Sequence, residues 1–559
     1  MFHVKHFFKT LGNMKEIEAN YVDVIHREIY PARIVYSKTI VRIERKGDKE
    51  DRRLPYCMPG FVDSHVHIES SMLNPQRFAT MVMPKGTIAV VCDPHEIANV
   101  CGIEGVRYMM RDAGKSPMKI YFAIPSCVPA TSFETNGAIF DSKEIEKLIT
   151  KSVALAEMMN YPGIVYRDPV VMRRVEVAHK HNRPVDGHAP GLTGEDLKKY
   201  VAAGITTDHE CVTTEEALEK IALGMKIIVR DGSAARNYEG LKSLFKTNIC
   251  DLMVCTDDAN PADIMERGHI DKFYNRLIKS GLTVFDVYKP LLLTPIEHYK
   301  LQVGRLQEGD RADFIVSRSL EELDIREVVV EGRTVYAGNE IKYRPKHTEK
   351  PNHFIDREFT EDDFKVVAPK DCPTVRVIQS IENQIITDVY NWKTSVGAGQ
   401  EVEADAGDDI AKIAVVNRYA EAPVSNAFIR GTGLKAGAVA SSVAHDSHNV
   451  VILGSDKSLM KKAAEEMFKM KGGFVVVLPD GRVEKIKLPI VGLMTNKDYT
   501  LVARQQKKLV KHIHKYLGVT LNEPFMTLAF MSLLVIPKLK IGDKGLFDVE
   551  KFGFTELFE

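Results

Sequence analysis

Imidazoles and carboxylates stand at the ends of a series of short apolar runs. These are His65 and His67 in FVDSHVHI, Asp93 and His95 in TIAVVCDPH, Glu157 in SVALAEMM, His188 in PVDGHAP, His209 in TTDHECV, and Asp257 with Asp258 in LMVCTDD. Such side chains hold divalent first-row metal ions. Taken singly, a histidine after an apolar run more often serves a packed, hydrogen-bonded core. His65 and His67 lie two apart on a strand, so both point to one face. Recurrence of the pattern, with His-x-His, Glu, His, His and Asp at the ends of the first, third, fourth, fifth and sixth of these runs, makes a shared metal site the better account. One tetrahedral ion needs about four donors, so His65, His67, Glu157, His188, His209 and Asp257 together suit a two-ion site.

Something must bring these runs together. Counting KIYFAIPS and KIIVRDGS, eight β-branched apolar runs alternate with helical stretches such as NPQRFATMVMPKG, GIEGVRYMMRDAG, DPVVMRRVEVAHKH, TGEDLKKYVAAG and TTEEALEKIALG. Several of the helices open on Ser, Thr, Asn or Asp and close on Gly, which is cap chemistry. Continuous apolar strands interleaved with helices indicate a parallel sheet. Eight units over about 240 residues fit a (β/α)8 TIM barrel, whose functional groups gather at the carboxyl ends of the strands. An open doubly wound sheet is the alternative on pattern alone.

Short strand-like segments flank this middle, EANYVDVIHREIYPARIVY before it and ADFIVSRS with REVVVEGRTVYAGNEI after it. They predict a small β-sandwich domain built from residues 1–57 and 305–350, around a barrel at 58–304. From 351 to 559 the texture becomes α+β and predicts a further domain. The chain has 559 residues, 76 Lys+Arg against 76 Asp+Glu, and no net charge. It therefore lacks the basic field that gathers nucleic acid or anionic lipid. No apolar run approaches the ~20 residues that span a bilayer. The opening MFHVKHFFKTLGNM has neither the apolar core nor the cleavage site of a secretory signal, and Met14 is a second candidate start. These readings place the protein in the cytoplasm, with no membrane or nucleic-acid partner. The eight cysteines form no CxxC pair and read as buried, reduced thiols; only Cys127, in PSCVP, is placed to face a pocket.

PGFVDSHVHIE resembles the first-strand signature of the amidohydrolase superfamily, over residues up to about 345. HVHIESSM, CDPHEIANVCG, PSCVPATSFET, AEMMNYPG, DGHAPGL, DGSAARN, CTDDANP and SVAHDSHNVVILG are similar to one branch of it, the adenine deaminases, with the likeness continuing through EPFMTLAFMSL and GLFDV. The resemblance implies hydrolysis of adenine to hypoxanthine and ammonia. It also implies a binuclear centre of two divalent ions, manganese first, with iron or zinc as alternatives, and a homo-oligomer of two or more chains. His65, His67, Glu157, His188, His209 and Asp257 become the ligands. Glu157 stands where many superfamily members carry a bridging carboxylated lysine, and Asp257 also shuttles the proton of the attacking water. Asp258 is expected behind the ligands. LLLTPIEHY lacks the small residues usual before its proline, and Asp231 stands where the family more often has Glu, which puts its contact with the base in doubt.

His95 and Glu96 are candidates to orient the base or relay protons, and Glu134 is a further substrate-binding candidate. The late cluster Ser442, His445, Asp446, Ser447, His448 and Asn449 predicts either a turn network or a lid over the barrel mouth, with Asp446 and His448 reaching the purine. The H-x-E…P-C-x-x-C signature of cytidine-type zinc deaminases is absent. Two other readings compete: hydrolysis of another aminopurine or a cyclic amide, and a non-catalytic scaffold of the same fold.

Overall fold

The computed structural model describes residues 14–233, 235–382 and 384–559. The segment before Met14, and with it the question of the start residue, lies outside the described residues. Eight parallel strands form the centre: β1 Phe61–Val66, β2 Thr87–Cys92, β3 Lys119–Ile124, β4 Ala154–Met158, β5 Val185–Gly187, β6 Thr207–Asp208, β7 Lys226–Arg230 and β8 Leu252–Cys255. All eight expected runs are present. Strands β1 to β5 pair in order, as do β6 to β8. Parallel bridges Val185–Ile205 and Val66–Asp257 join the two arcs. The second is reinforced by Asp257 N donating to His65 O at 3.0 Å. The ring is closed, so the fold is a barrel and not an open sheet.

Every residue of β1, β2, β4 and β8 is buried, as expected of strands covered on both faces. Helices follow the expected caps: Asp168 accepts from Val170 N and Val171 N ahead of Pro169–Lys180, and Thr213 accepts from Glu216 N ahead of Thr214–Ala222. The helix after β2 starts earlier than its sequence suggests, at His95, and runs to Ala113 through a break at Gly102, where φ is +56°. Gly187, ending β5, has no room for a side chain, because a Cβ there would meet Thr207 O at 2.2 Å. That close approach brings the ends of β5 and β6 together.

The flanking segments build one continuous eight-stranded sheet. It rolls over its own core: the rings of Tyr36 and Phe314, from strands with two others between them in the sheet, meet at 5.0 Å. This is the form the expected sandwich takes. A second eight-stranded sheet lies beyond residue 373, with helix Lys457–Met470 packed on one face through Met460, Ala463, Ala464 and Met467. Its other face shares a continuous apolar core with the barrel, through residues such as Ile413, Val439 and Val476. Among the described residues no helix is long and apolar enough to cross a membrane. Five of the eight cysteines are buried, but Cys250 and Cys372 are exposed and Cys101 is intermediate. Apolar neighbours in sequence do not bury a thiol that sits at an element's edge.

A small sheet of Leu539–Gly542, Gly545–Asp548 and Gly553–Phe554 completes the chain. Lys540 is fully buried there and donates to the Ile385 carbonyl at 2.8 Å. Among the described residues no carboxylate pairs with it, and burial pushes its ammonium down to about 7. Between about pH 7 and 10.5 the unfolded chain holds this proton and the folded protein does not, so folded stability rises with pH across that window. Measured against Lys540→Met by urea unfolding, wild-type stability should gain about 1.4 kcal/mol per pH unit between pH 8 and 10. A difference that stays constant with pH would contradict this environment for Lys540.

Candidate active site

The six predicted ligand residues meet at the carboxyl end of the barrel. His65 Nε2 and His67 Nε2 lie 3.2 Å apart, and Asp257 Oδ1 is 3.5 and 3.2 Å from them. Glu157, on β4, lies between the two halves of the cluster. Its Oε1 is 3.2 Å from His67 Nε2, and its Oε2 is 2.6 Å from His188 Nδ1 and 3.2 Å from His209 Nε2. All six are buried. His67 Nδ1 donates to the Asp93 carbonyl at 3.1 Å, which fixes the tautomer and turns the Nε2 lone pair inward. Asp257 adopts a left-handed backbone with φ of +53°, a strained conformation of the kind found at functional sites.

The donor set fits divalent ions. His209 Nε2 is buried yet has no hydrogen-bond partner, although a carboxylate oxygen stands 3.2 Å away. Several overlapping groups of three or four donor atoms lie mutually within 4.8 Å: His65, Glu157 and His209; His65, His67 and Asp257; His67, Asp93, His95 and Glu157; and His188, His209 and Glu210. Imidazole and carboxylate donor atoms crowded this closely are what metal ligands present.

Two charged residues escaped the sequence reading. Arg230, ending β7, grips Glu210 with both terminal nitrogens and donates to Asp257 Oδ2 at 2.8 Å. Glu210 also stands 3.5 Å from His188 Nδ1 and 3.3 Å from His209 Nε2. The available signals were an arginine closing an apolar run, KIIVR, and a carboxylate directly after a candidate ligand. Asp258 lines the cleft and accepts from Ser70, so it is nearer the reacting space than expected. Asp231 faces the other way. It binds Arg267 and Arg276 at 2.6 Å each and is absent from the cleft wall.

The C-terminal segment covers this mouth. A cleft lies between this segment and the imidazole and carboxylate cluster. Its roof is apolar, from Ile385, Phe530, Leu533 and Ile536, beside His445 and Asp446. No sequence signal marked the four apolar roof residues, because a roof of this kind reads like core. His95 Nδ1 pairs with Asp93 Oδ2 at 3.1 Å, and His95 Nε2 lies 4.0 Å from Asp446 Oδ1. Glu96 is held between His445, at 2.6 Å, and His448. Burial alone would raise the Glu96 carboxyl, but His445, His448 and His95 keep it well below its ordinary value.

Glu96 and Asp446 therefore reach the cleft wall, while His448 stands behind Glu96 and Glu134 beside Asp446, outside that wall. Burial pushes Asp446 up to about 6, and burial with the Asp446 charge pushes Glu134 well above the carboxylate range. The late cluster, expected either as a turn network or as a lid, is joined to the barrel through Glu96. Cys127 contacts Met158 Sδ at 3.9 Å and does not line the cleft.

Residues 56–335 match the amidohydrolase family model, and residues 384–553 match that of the adenine deaminase C-terminal domain. Relatives described as adenine deaminase match nearly end to end. That of Methanosarcina mazei is 43% identical over 558 residues, covering 98% of this chain and all of its own. That of Sulfurovum sp. is 43% identical over 97% of this chain and 99% of its own, and that of Borreliella burgdorferi is 42% identical over 97% and 99%. With both segments matched and the likeness sustained over the full barrel and its roof, this chain belongs to the adenine deaminase family of the amidohydrolases.

Proposed function

We propose that the chain hydrolyses adenine to hypoxanthine and ammonia, with two divalent ions held by His65, His67, Glu157, His188, His209 and Asp257. The observation that carries this reading is the convergence of six imidazole and carboxylate side chains beneath a roof supplied by the adenine-deaminase-type C-terminal segment. The roof also favours adenine over the cyclic amides that barrels of this superfamily can take. Manganese is the first candidate, with iron or zinc as alternatives, since the mixed donor set accommodates all three. When bound, such ions supply hydroxide at neutral pH by lowering the pKa of water from 15.7 towards about 7.

The chain's own groups do the rest. Arg230 holds Asp257 Oδ2, leaving Oδ1 on the side of His65 and His67 to take the proton of the attacking water. Asp257 then delivers that proton to a ring nitrogen or to the departing amine, work that contributes about 10²–10⁴-fold. His95, Glu96 and Asp446 form a polar edge for the purine's ring nitrogens. Phe530, Ile385, Leu533 and Ile536 cover its planar face and exclude water, which strengthens each polar contact below.

Four outcomes follow. The ultraviolet change from adenine to hypoxanthine, with equimolar ammonia, should appear with manganese, vanish on chelation and return on reloading. Elemental analysis of fully active protein should give two ions per chain; one ion would refute the binuclear reading. Glu157→Gln should lose bound metal together with turnover, and full metal content at near-normal turnover would make Glu157 structural. Asp446→Ala should lower kcat/KM by about 10²-fold while metal content and melting stay at wild-type values. If it instead loses stability and retains activity per folded molecule, the loop only braces the fold.

A further inference from the structure

Behind the cluster lies a buried ion network that the chemistry above does not use. Lys220, on helix Thr214–Ala222, has no exposed surface. Its ammonium donates to Asp208 Oδ2 at 3.0 Å, Glu216 Oε1 at 2.8 Å and the Ala189 carbonyl at 2.7 Å. Asp208 accepts through Oδ1 from Ala189 N at 2.9 Å, and through Oδ2 from Glu210 N and Cys211 N at 3.1 and 3.0 Å. Glu216 Oε1 accepts from Gly191 N at 2.9 Å.

Both backbone groups of Ala189 are therefore taken by one charged pair. Ala189 follows His188 directly, and Glu210 follows His209 directly. The network thus grips the chain immediately after the two histidines that face Glu157 Oε2, and it ties their loops to each other. A packing role alone would need no charge here. Burying a lysine with two carboxylates requires the geometry to be well satisfied, and the groups they satisfy are the backbone amides and carbonyl of these two loops.

We infer that Lys220, with Asp208 and Glu216, is a positioning residue that sets the spacing of His188 and His209 and so the affinity of the ion they hold. The inference rests on the two-ion reading. His65, His67 and Asp257 are set by β1 and β8 and make no hydrogen bond to Lys220, Asp208 or Glu216; their link to the network is indirect, through Arg230, which holds both Glu210 and Asp257. Loosening the network should therefore weaken one ion and spare the other.

The test titrates manganese into the metal-free protein and reads stoichiometry and both dissociation constants, with circular dichroism to establish folding. Lys220→Met alone strands two buried carboxylates, so Glu216→Gln and the charge-balanced Lys220→Met/Glu216→Gln are measured instead. In each folded variant one manganese should bind as in wild type and the other about 10–100-fold more weakly, the size expected for residues that orient ligands. Wild-type affinity for both ions in either folded variant would overturn the role of Lys220. A wild-type protein that takes up a single ion would refute the two-ion reading itself, before the variants are compared.

Discussion

Everything at the barrel mouth depends on bringing six imidazole and carboxylate side chains into one dry volume. Such groups are costly to bury unless each is paired or bound. Here the outer atoms are satisfied from behind: the Asp93 carbonyl takes His67 Nδ1, Arg230 takes Asp257 Oδ2, and Asp93 takes His95. The inner atoms are left facing one another, and His209 Nε2 has no hydrogen bond at all. A cluster built in this way is stable as a receptor for positive charge and strained without it. Glu157 is central because its two carboxylate oxygens reach both halves, Oε1 to His67 and Oε2 to His188 and His209.

That constraint explains features spread over the whole chain. Gly187 has to lack a side chain so that β5 and β6 can approach and bring His188 to His209. The positive φ of Asp257 lets it follow β8 and still turn inward beside β1. The C-terminal segment closes the site in two ways at once. Its loop at 445–448 clasps Glu96 at the start of the helix after β2, and its apolar residues Phe530, Leu533 and Ile536 form the ceiling. The polar edge of the cleft is thus shared between barrel and roof, so neither part forms the site alone.

The sequence exposed the periodic and the polar parts of this design. Strands such as β2 and β8 were legible because strands buried on both faces read as unbroken apolar runs, and the ligand residues were legible because polar groups end those runs at fixed places. The early start of the helix at His95 was hidden by the neighbouring proline and by Gly102, both of which usually mark an end. Glu210 and Arg230 were missed because each is explained only by the other across 20 residues of chain. The roof was invisible for a simpler reason: Phe530 and Leu533 look alike whether they cover a core or a substrate.

The central claim is that this arrangement of side chains is a receptor for two ions bridged by Glu157. Anomalous diffraction at the manganese edge, on crystals of the loaded protein, tests it most directly. The account predicts two peaks per chain, one against His65, His67 and Asp257 and one against His188 and His209, with Glu157 touching both. A single peak, or two peaks that leave Glu157 outside the coordination, would contradict it.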